Sequence, residues 1–348
     1  MKRFLYLGLS LIILVVALTI FFVRQKKQVP VNEFLEASLQ KRKFKNANFK
    51  IVNERKFKET PFRLLPFGDS ALVFVDTVIY SVSNDLNTQK SILLPISAKH
   101  GNFYVYKDNR ITAGLNVGSN LLYVSSNGKT KTNSVEGTLM NGIFANNMLY
   151  AIKFLPQKSG KNLLSIVQWN HDTNETKEVL NINSILSEEI KGYEQCLENV
   201  LEGNFFSIDN KYFGYYFYRG GYFLVYKNDK FSLIKTLINY PFVKFEEKNV
   251  EFGNGLAASQ CQTDKDIYVQ SSACSNGKQI FILSNVAKKG SKERCIDIYS
   301  FESFNYLMSV SLPNFKNELP LDILIVSNKL LVVYQDGTLV SYEYDALL

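Results

Sequence analysis

The sequence predicts an all-β protein of the β-propeller class, with six blades favoured and seven as the alternative, preceded by one N-terminal transmembrane helix and a short helical stalk. Three observations carry this reading. Aromatic residues make up 14% of the 348 residues, with 20 Tyr and 26 Phe against one Trp, a bias toward side chains that pack well on a pleated sheet. From Phe44 onward, short apolar runs are broken by Asn, Asp, Gly and Lys about every 8–12 residues, as in all-β sandwiches, barrels and propellers. A unit of polar turn, aromatic strand, second turn and further strand recurs about six times with a mean period of roughly 45 residues, the length of a propeller blade.

The elements follow in chain order. Phe4–Val23 is an uninterrupted apolar run between Lys2, Arg3 and Arg24, Lys26, Lys27. At about 1.5 Å per residue it spans the ~30 Å hydrocarbon core, and no small-residue cleavage site follows it, so residues 1–27 are expected to be an uncleaved anchor. Residues 28–45 are the expected stalk, where Asn32 can cap a short helix with acids in its first turn and bases in its last. Residues 46–348 are the expected propeller. Its units include Leu72–Tyr80, Asn120–Val124, Asn146–Ile152, Asp209–Tyr218, Asp266–Val269 and Asn328–Tyr334. The strand at Leu339–Tyr344 leaves the final blade short of an outer strand, and Phe49–Val52 is placed to supply it and close the ring. Within the ring, only Leu180–Gly192 reads as helical, an excursion between blades.

Charge is unevenly distributed. The net charge is +8, yet Arg24 to Arg63 alone holds twelve Lys and Arg against four Glu, so the globular part is close to neutral. Basic residues beside an anchor suit anionic lipid head groups, to which Arg24, Lys26, Lys27, Lys41, Arg42 and Lys43 are assigned, and no nucleic-acid partner is expected. A plain solvated spacer is the alternative.

The same charges favour a cytoplasmic C-terminal side by the positive-inside rule, whereas the cysteines favour the opposite side. Cys196, Cys261, Cys274 and Cys295 are even in number, lie beyond the anchor and lack Cys-x-x-Cys spacing, so two disulfides in an oxidising compartment are expected, with three connectivities open and four unpaired core thiols as the alternative. Large domains also translocate largely regardless of charge. The expected address is the cytoplasmic membrane, single-pass, with the main domain periplasmic or otherwise extracytoplasmic.

Tyr212–Tyr226 (YFGYYFYRGGYFLVY), Cys295–Pro313 (CIDIYSFESFNYLMSVSLP) and Leu330–Tyr344 (LLVVYQDGTLVSYEY) together resemble a group of membrane-anchored, propeller-like proteins from Bacteroidota. The resemblance covers the C-terminal ~40% of the chain and, by layout, the anchor and stalk. It implies the fold and the membrane address and adds no reaction.

Chemical motifs are sparse. With only His100 and His171, both in polar turns, a histidine triad or histidine-rich metal site is hard to build, and no Gly-x-Ser-x-Gly elbow occurs. Asn127-Gly128-Lys129-Thr130 lacks the first glycine of a phosphate loop and reads as a hairpin turn. Gly253-Asn254-Gly255 lacks the βαβ context of a dinucleotide site. Asp172-Thr173-Asn174-Glu175 and Asp264-Lys265-Asp266 read as solvated turns, without the full calcium loop. No cofactor or metal is expected. The most suggestive surface is the hairpin at Arg219-Gly220-Gly221, where Tyr216, Tyr218 and Tyr222 could stack on a flat ligand while Arg219 grips a carboxylate; ordinary blade packing is the competing reading. A tethered, non-catalytic binding or scaffolding module with a protein partner is the leading functional expectation. A hydrolase or lyase working in the central funnel, and an accessory subunit of a membrane redox or transport assembly, are the alternatives.

Overall fold

The computed structural model describes residues 41–344 apart from 94–101, 106–111, 116–120, 127–128, 135–136, 147, 156–162, 171–172, 174, 194–195, 239, 252–256, 264–266 and 287–292. The anchor Phe4–Val23, the cations Arg24, Lys26 and Lys27, both histidines, the Lys288–Lys292 insertion and the Asp264/Asp266 turn lie outside the described residues. Among those described, no helix is long and apolar enough to cross a membrane.

Strand β1 (Phe49–Lys56) is followed by β2 (Arg63–Phe67), β3 (Ser70–Val75), β4 (Val78–Ser83) and β5 (Thr88–Leu93), then by β6 (Asn102–Val105), β7 (Thr112–Leu115), β8 (Leu121–Ser126) and β9 (Lys129–Ser134). Next come β10 (Thr138–Ala145), β11 (Met148–Leu155), β12 (Leu163–Asn170) and β13 (Glu175–Asn181), two one-turn helices, α1 (Ile182–Ile185) and α2 (Leu197–Val200), and β14 (Gly203–Ser207), β15 (Phe213–Phe217), β16 (Tyr222–Lys227) and β17 (Lys230–Lys235). A ribbon, β18 (Glu246–Glu251) and β19 (Ala257–Gln262), precedes β20 (Gln270–Ser275), β21 (Gln279–Ser284), β22 (Arg294–Ser300) and β23 (Tyr306–Leu312), and the order finishes with β24 (Pro320–Val326), β25 (Lys329–Tyr334) and β26 (Thr338–Tyr344).

These strands make a β-propeller. Five four-stranded antiparallel sheets are each built from consecutive strands, and a further one, ordered β1-β26-β25-β24, is composite. The composite sheet is the closure expected from the sequence, with Phe49 opposite Tyr344 and Lys56 opposite Thr338. The β18–β19 ribbon is an insertion with no counterpart in the sequence reading. Strands β2, β10, β14, β20 and β24 lie inward, where their charged and polar residues meet those of neighbouring sheets across the axis.

Burial follows position within a sheet. Every residue of β3 and β15, second strands, is buried, whereas β1, an outer strand, reads almost wholly exposed. Tight hairpins use the polar residues that tolerate left-handed backbone: Asn228 and Asn146 both have φ 51°, and Asp229 has φ 59°, the paired positive angles of a two-residue turn between β16 and β17. The expected helical excursion after Leu180 is present but brief. Asn181 caps α1 by accepting from the Ser184 N–H at 3.1 Å, and Ile182, Leu186 and Ile190 are buried against the neighbouring sheets.

Candidate functional site

Among the described residues, a hydrogen-bonded girdle runs across the axis. Arg63, first residue of β2, donates through Nη1 to Asn141 Oδ1 on β10 at 3.2 Å and through Nη2 to the Phe205 carbonyl on β14 at 3.1 Å. Asn141 Nδ2 donates onward to the Gly203 carbonyl at 2.9 Å and to Asn204 Oδ1 at 2.8 Å. On the other side Asp322 of β24 accepts from the Leu64 N–H of β2 at 2.7 Å, from the Ile323 N–H at 2.9 Å and from the Ser272 hydroxyl of β20. Five inward strands are thereby stitched together. The cavity that remains between them measures about 20 Å³, room for a single water.

Burial dominates the titration of Asp322. Desolvation raises its carboxyl to about 6, against the downward pull of its three hydrogen bonds and of the Arg63 charge. A lone carboxyl saturated with donors can hold a proton, but among the described residues it has no second acid beside it in this cluster with which to divide acid and base roles. Sequence reasoning missed these residues. The available signal was a charge opening or interrupting an apolar strand, Arg63 before Leu64-Leu65 and Asp322 within PLDILIV, but their convergence depends on ring geometry.

The aromatic hairpin singled out from the sequence lies close to this axis, and the structure gives it packing roles. Arg219 is buried, ion-paired with Glu202, donating from Nη1 to the Asn199 carbonyl at 3.2 Å and from Nη2 to the Tyr268 hydroxyl at 2.7 Å. Its guanidinium carbon sits 4.4 Å from the Tyr268 ring centre and 5.2 Å from that of Phe245. Tyr216 is buried with its hydroxyl on the Ser271 carbonyl at 3.0 Å, and Tyr222 is buried and stacked on Phe242 at 5.1 Å. Burial pushes the Tyr218 hydroxyl up to about 12. The expected open grip of Arg219 on a ligand carboxylate is therefore corrected: Glu202 supplies the carboxylate, and the segment around Phe242 covers the turn. That cover explains Gly220, where a Cβ would fall 2.5 Å from the Phe242 ring.

The cysteines divide. Cys196 and Cys261 form a disulfide, with Cα atoms 5.8 Å apart, that fastens the β18–β19 ribbon to the α2 excursion. Cys274 and Cys295 are buried and remain thiols, which corrects the expectation of a second bridge. They sit on β20 and β22, and β21 runs between them; two strand spacings of about 4.8 Å exceed the ~7 Å limit for bridging. Burial also pushes the Cys274 thiol far up.

Of the cations assigned to lipid, Lys41 and Lys43 are exposed, but Arg42 is not. Its guanidinium is buried and grips Asp297 on β22 through Nε at 2.9 Å and Nη2 at 2.7 Å, while Nη1 donates to the Val286 carbonyl at 2.5 Å. The Ser309 hydroxyl donates to the same carboxylate and meets the Tyr306 hydroxyl at 2.8 Å. Burial opposes the Arg42 charge, but Asp297 outweighs it, and the guanidinium pKa is raised. Backbone bonds from Ser309 N–H to the Lys43 carbonyl (3.0 Å) and from Lys45 N–H to the Ser309 carbonyl (2.9 Å) lay this segment along the edge of β23. Residues 42–45, expected in a helical stalk, are thus built into the ring; alternation along an extended segment turns Arg42 inward and its two lysine neighbours outward.

No protein-family model matches the chain, and no curated protein matches it. Solved structures do. Virginiamycin B lyase from Staphylococcus aureus aligns at 9% identity over 85% of this chain and 99% of its own, with a TM-score of 0.48. A protein of unknown function from Bacteroides thetaiotaomicron aligns at 11% identity over 87% and 73%, with a TM-score of 0.49. BamB from Moraxella catarrhalis aligns at 8% identity over 86% and 99%, with a TM-score of 0.40. Likeness at this level carries no argument about activity, and the propeller assignment stands on the sheets themselves.

Proposed function

We propose that this protein is a membrane-tethered, extracytoplasmic propeller acting as a non-catalytic binding or scaffolding module; the resemblance of its C-terminal segments to the Bacteroidota group supports the fold and the membrane address. The observation that carries this reading is the girdle of Arg63, Asn141, Asn204, Ser272 and Asp322, which joins five inward strands and leaves between them, among the described residues, a cavity of about 20 Å³, too small for an organic substrate. Recognition then falls to the faces and rim of the ring. The Cys196–Cys261 disulfide supports an oxidising compartment, and the apolar run Phe4–Val23 supports the tether. In this reading Arg24, Lys26, Lys27, Lys41 and Lys43 face anionic lipid, without Arg42. The composite sheet counts as the sixth blade.

Capture of the detergent-solubilised protein from its native membrane, with mass spectrometry of what accompanies it, tests the scaffold; recovery of the protein alone counts against it. Topology is read separately by lysing cells directly into denaturant with excess maleimide, which traps every free thiol including the buried Cys274 and Cys295, then reducing and labelling again with a second maleimide. Two cysteines are expected to take only the second label, and four taking the first would place the domain in the cytoplasm.

A further inference from the structure

The β18–β19 ribbon adds no strand to the ring. Among the described residues it pairs with no third strand, and the Cys196–Cys261 disulfide fastens it to the helical excursion. Its two strands run in unbroken register, with Glu246 opposite Gln262, Glu247 opposite Cys261 and Lys248 opposite Gln260. Alternation along each strand therefore puts Glu246, Lys248 and Gln262 on one face of the ribbon and Glu247 and Cys261 on the other.

The first of these faces lines a cleft of about 360 Å³, within the ~300–1,000 Å³ range of small-molecule sites. Its base is apolar, formed by Tyr240, Phe242 and Val243, all buried, in the segment after β17. Phe242 is fixed there by stacking on Tyr222 at 5.1 Å. Tyr193 of the excursion lines the cleft too, and its hydroxyl donates to the Phe242 carbonyl at 3.4 Å. Cys196 follows Tyr193 closely in the chain and Gln262 follows Cys261 directly, so the disulfide ties two walls of the cleft together.

The polar groups select the ligand. Lys244, Glu246, Lys248 and Gln262 are exposed at the rim, and Lys244 Nζ lies 3.3 Å from the Glu246 carboxylate. An anionic ligand would meet Glu246 and a cationic one the two lysines, so a strongly charged ligand of either sign is opposed by its like. Lysine donates, the carboxylate accepts and the Gln262 amide does both. Hydroxyl groups, which also donate and accept, match that set, and the apolar base matches the C–H face of a ring that carries them. We propose that this cleft binds a neutral carbohydrate of one or two sugar rings, held between the apolar base and the polar face of the ribbon. The site rests on the reading of the protein as a binding module only in giving that module a ligand.

Maltose, cellobiose, lactose and N,N′-diacetylchitobiose are suitable probes, titrated by saturation-transfer NMR against the full-length protein in a detergent without a sugar head group, since an alkyl maltoside would compete. Wild type is expected to bind at least one of them saturably. Gln262→Ala and Glu246→Gln should each weaken that binding by about 3- to 10-fold, the loss of one hydrogen-bonding group. Glu247→Gln, on the opposite face of the ribbon, should leave it unchanged. All three positions are exposed, so the variants should unfold at the wild-type temperature. Absence of saturable binding of all four sugars, unchanged affinity in both Gln262→Ala and Glu246→Gln, or an equal loss in Glu247→Gln each overturns the site. Partner capture by a wild type that binds none of the sugars would retire this cleft and leave the scaffold standing.

Discussion

Replacing Arg42 by Met tests how strongly the residues after the stalk are tied into the ring. The side chain keeps similar length and loses its charge, leaving Asp297 buried with the Ser309 hydroxyl as its remaining side-chain donor. Two charge-assisted hydrogen bonds and one to the Val286 carbonyl disappear, at roughly 1.5–3 kcal/mol for each bond to the carboxylate, and breaking a buried pair from one side costs about 3–5 kcal/mol overall. Asp297→Leu should cost a similar amount by stranding Arg42. The double variant, which leaves no unpaired charge, should recover most of the loss, so the cycle should show a coupling of at least about 2 kcal/mol. Urea unfolding followed by fluorescence measures this cleanly, since Trp169 is the single Trp, is 1% exposed and sits on β12 in a different sheet. A single Arg42→Met variant within 1 kcal/mol of wild type, or a double variant whose loss equals the sum of the singles, would refute the argument.

Other outcomes follow from the same geometry. Lys41→Gln with Lys43→Gln should leave stability within about 0.5 kcal/mol in the same urea assay, since both residues are exposed; on the proposed membrane reading, association with anionic lipid vesicles should weaken. Asp322 has a folded pKa raised above its unfolded value, so the folded state holds the extra proton between pH ~4 and ~6 and unfolding free energy should fall by about 3 kcal/mol as pH rises through that window; comparing urea unfolding at both ends for wild type and Asp322→Asn isolates this slope, which the variant should lack. Opening the Cys196–Cys261 bridge, which closes a separation of 65 residues, should cost about 4 kcal/mol by chain entropy, measured as a lower unfolding midpoint in reductant or in Cys196→Ser with Cys261→Ser. Gly203→Ala should destabilise by about 1–3 kcal/mol or more, because its Cβ would lie 2.0 Å from the Tyr216 carbonyl oxygen; denaturant titration showing no change would mean β14 can shift freely.

Much of the architecture was legible because strands and turns are local. The apolar runs around Leu72, Met148, Phe223 and Leu330 fall on strands, and the Asn and Asp residues between them take left-handed turns. Closure by Phe49–Val52 was legible because an unpaired outer edge calls for a strand and the chain offered one. What failed was long-range. Nothing local distinguishes Arg42 from Lys41 and Lys43; the difference is made by Asp297, 255 residues away. Arg219 and its tyrosines looked like an open site because Glu202 and Phe242 come from segments that only the fold brings over the turn. The cysteine count suggested two bridges, but strand order puts β21 between Cys274 and Cys295. The axial girdle draws single residues from five strands, a convergence that no spacing along the chain encodes.

Ring closure by β1 also sets an order of events during synthesis. The segment from Arg42 to Lys56 is among the first of the folded part to emerge, yet its partners, Asp297, Ser309 and the β26 strand, are among the last. Until β26 is made, β1 has no strand to pair with, and residues 42–45 have no edge to lie along until β23 is made. The nascent propeller therefore spends most of its synthesis with the edge of β1 unpaired, the condition under which neighbouring chains exchange strands. A tether that holds each emerging chain at its own spot on the membrane would keep those edges apart until the first segment and the last can meet.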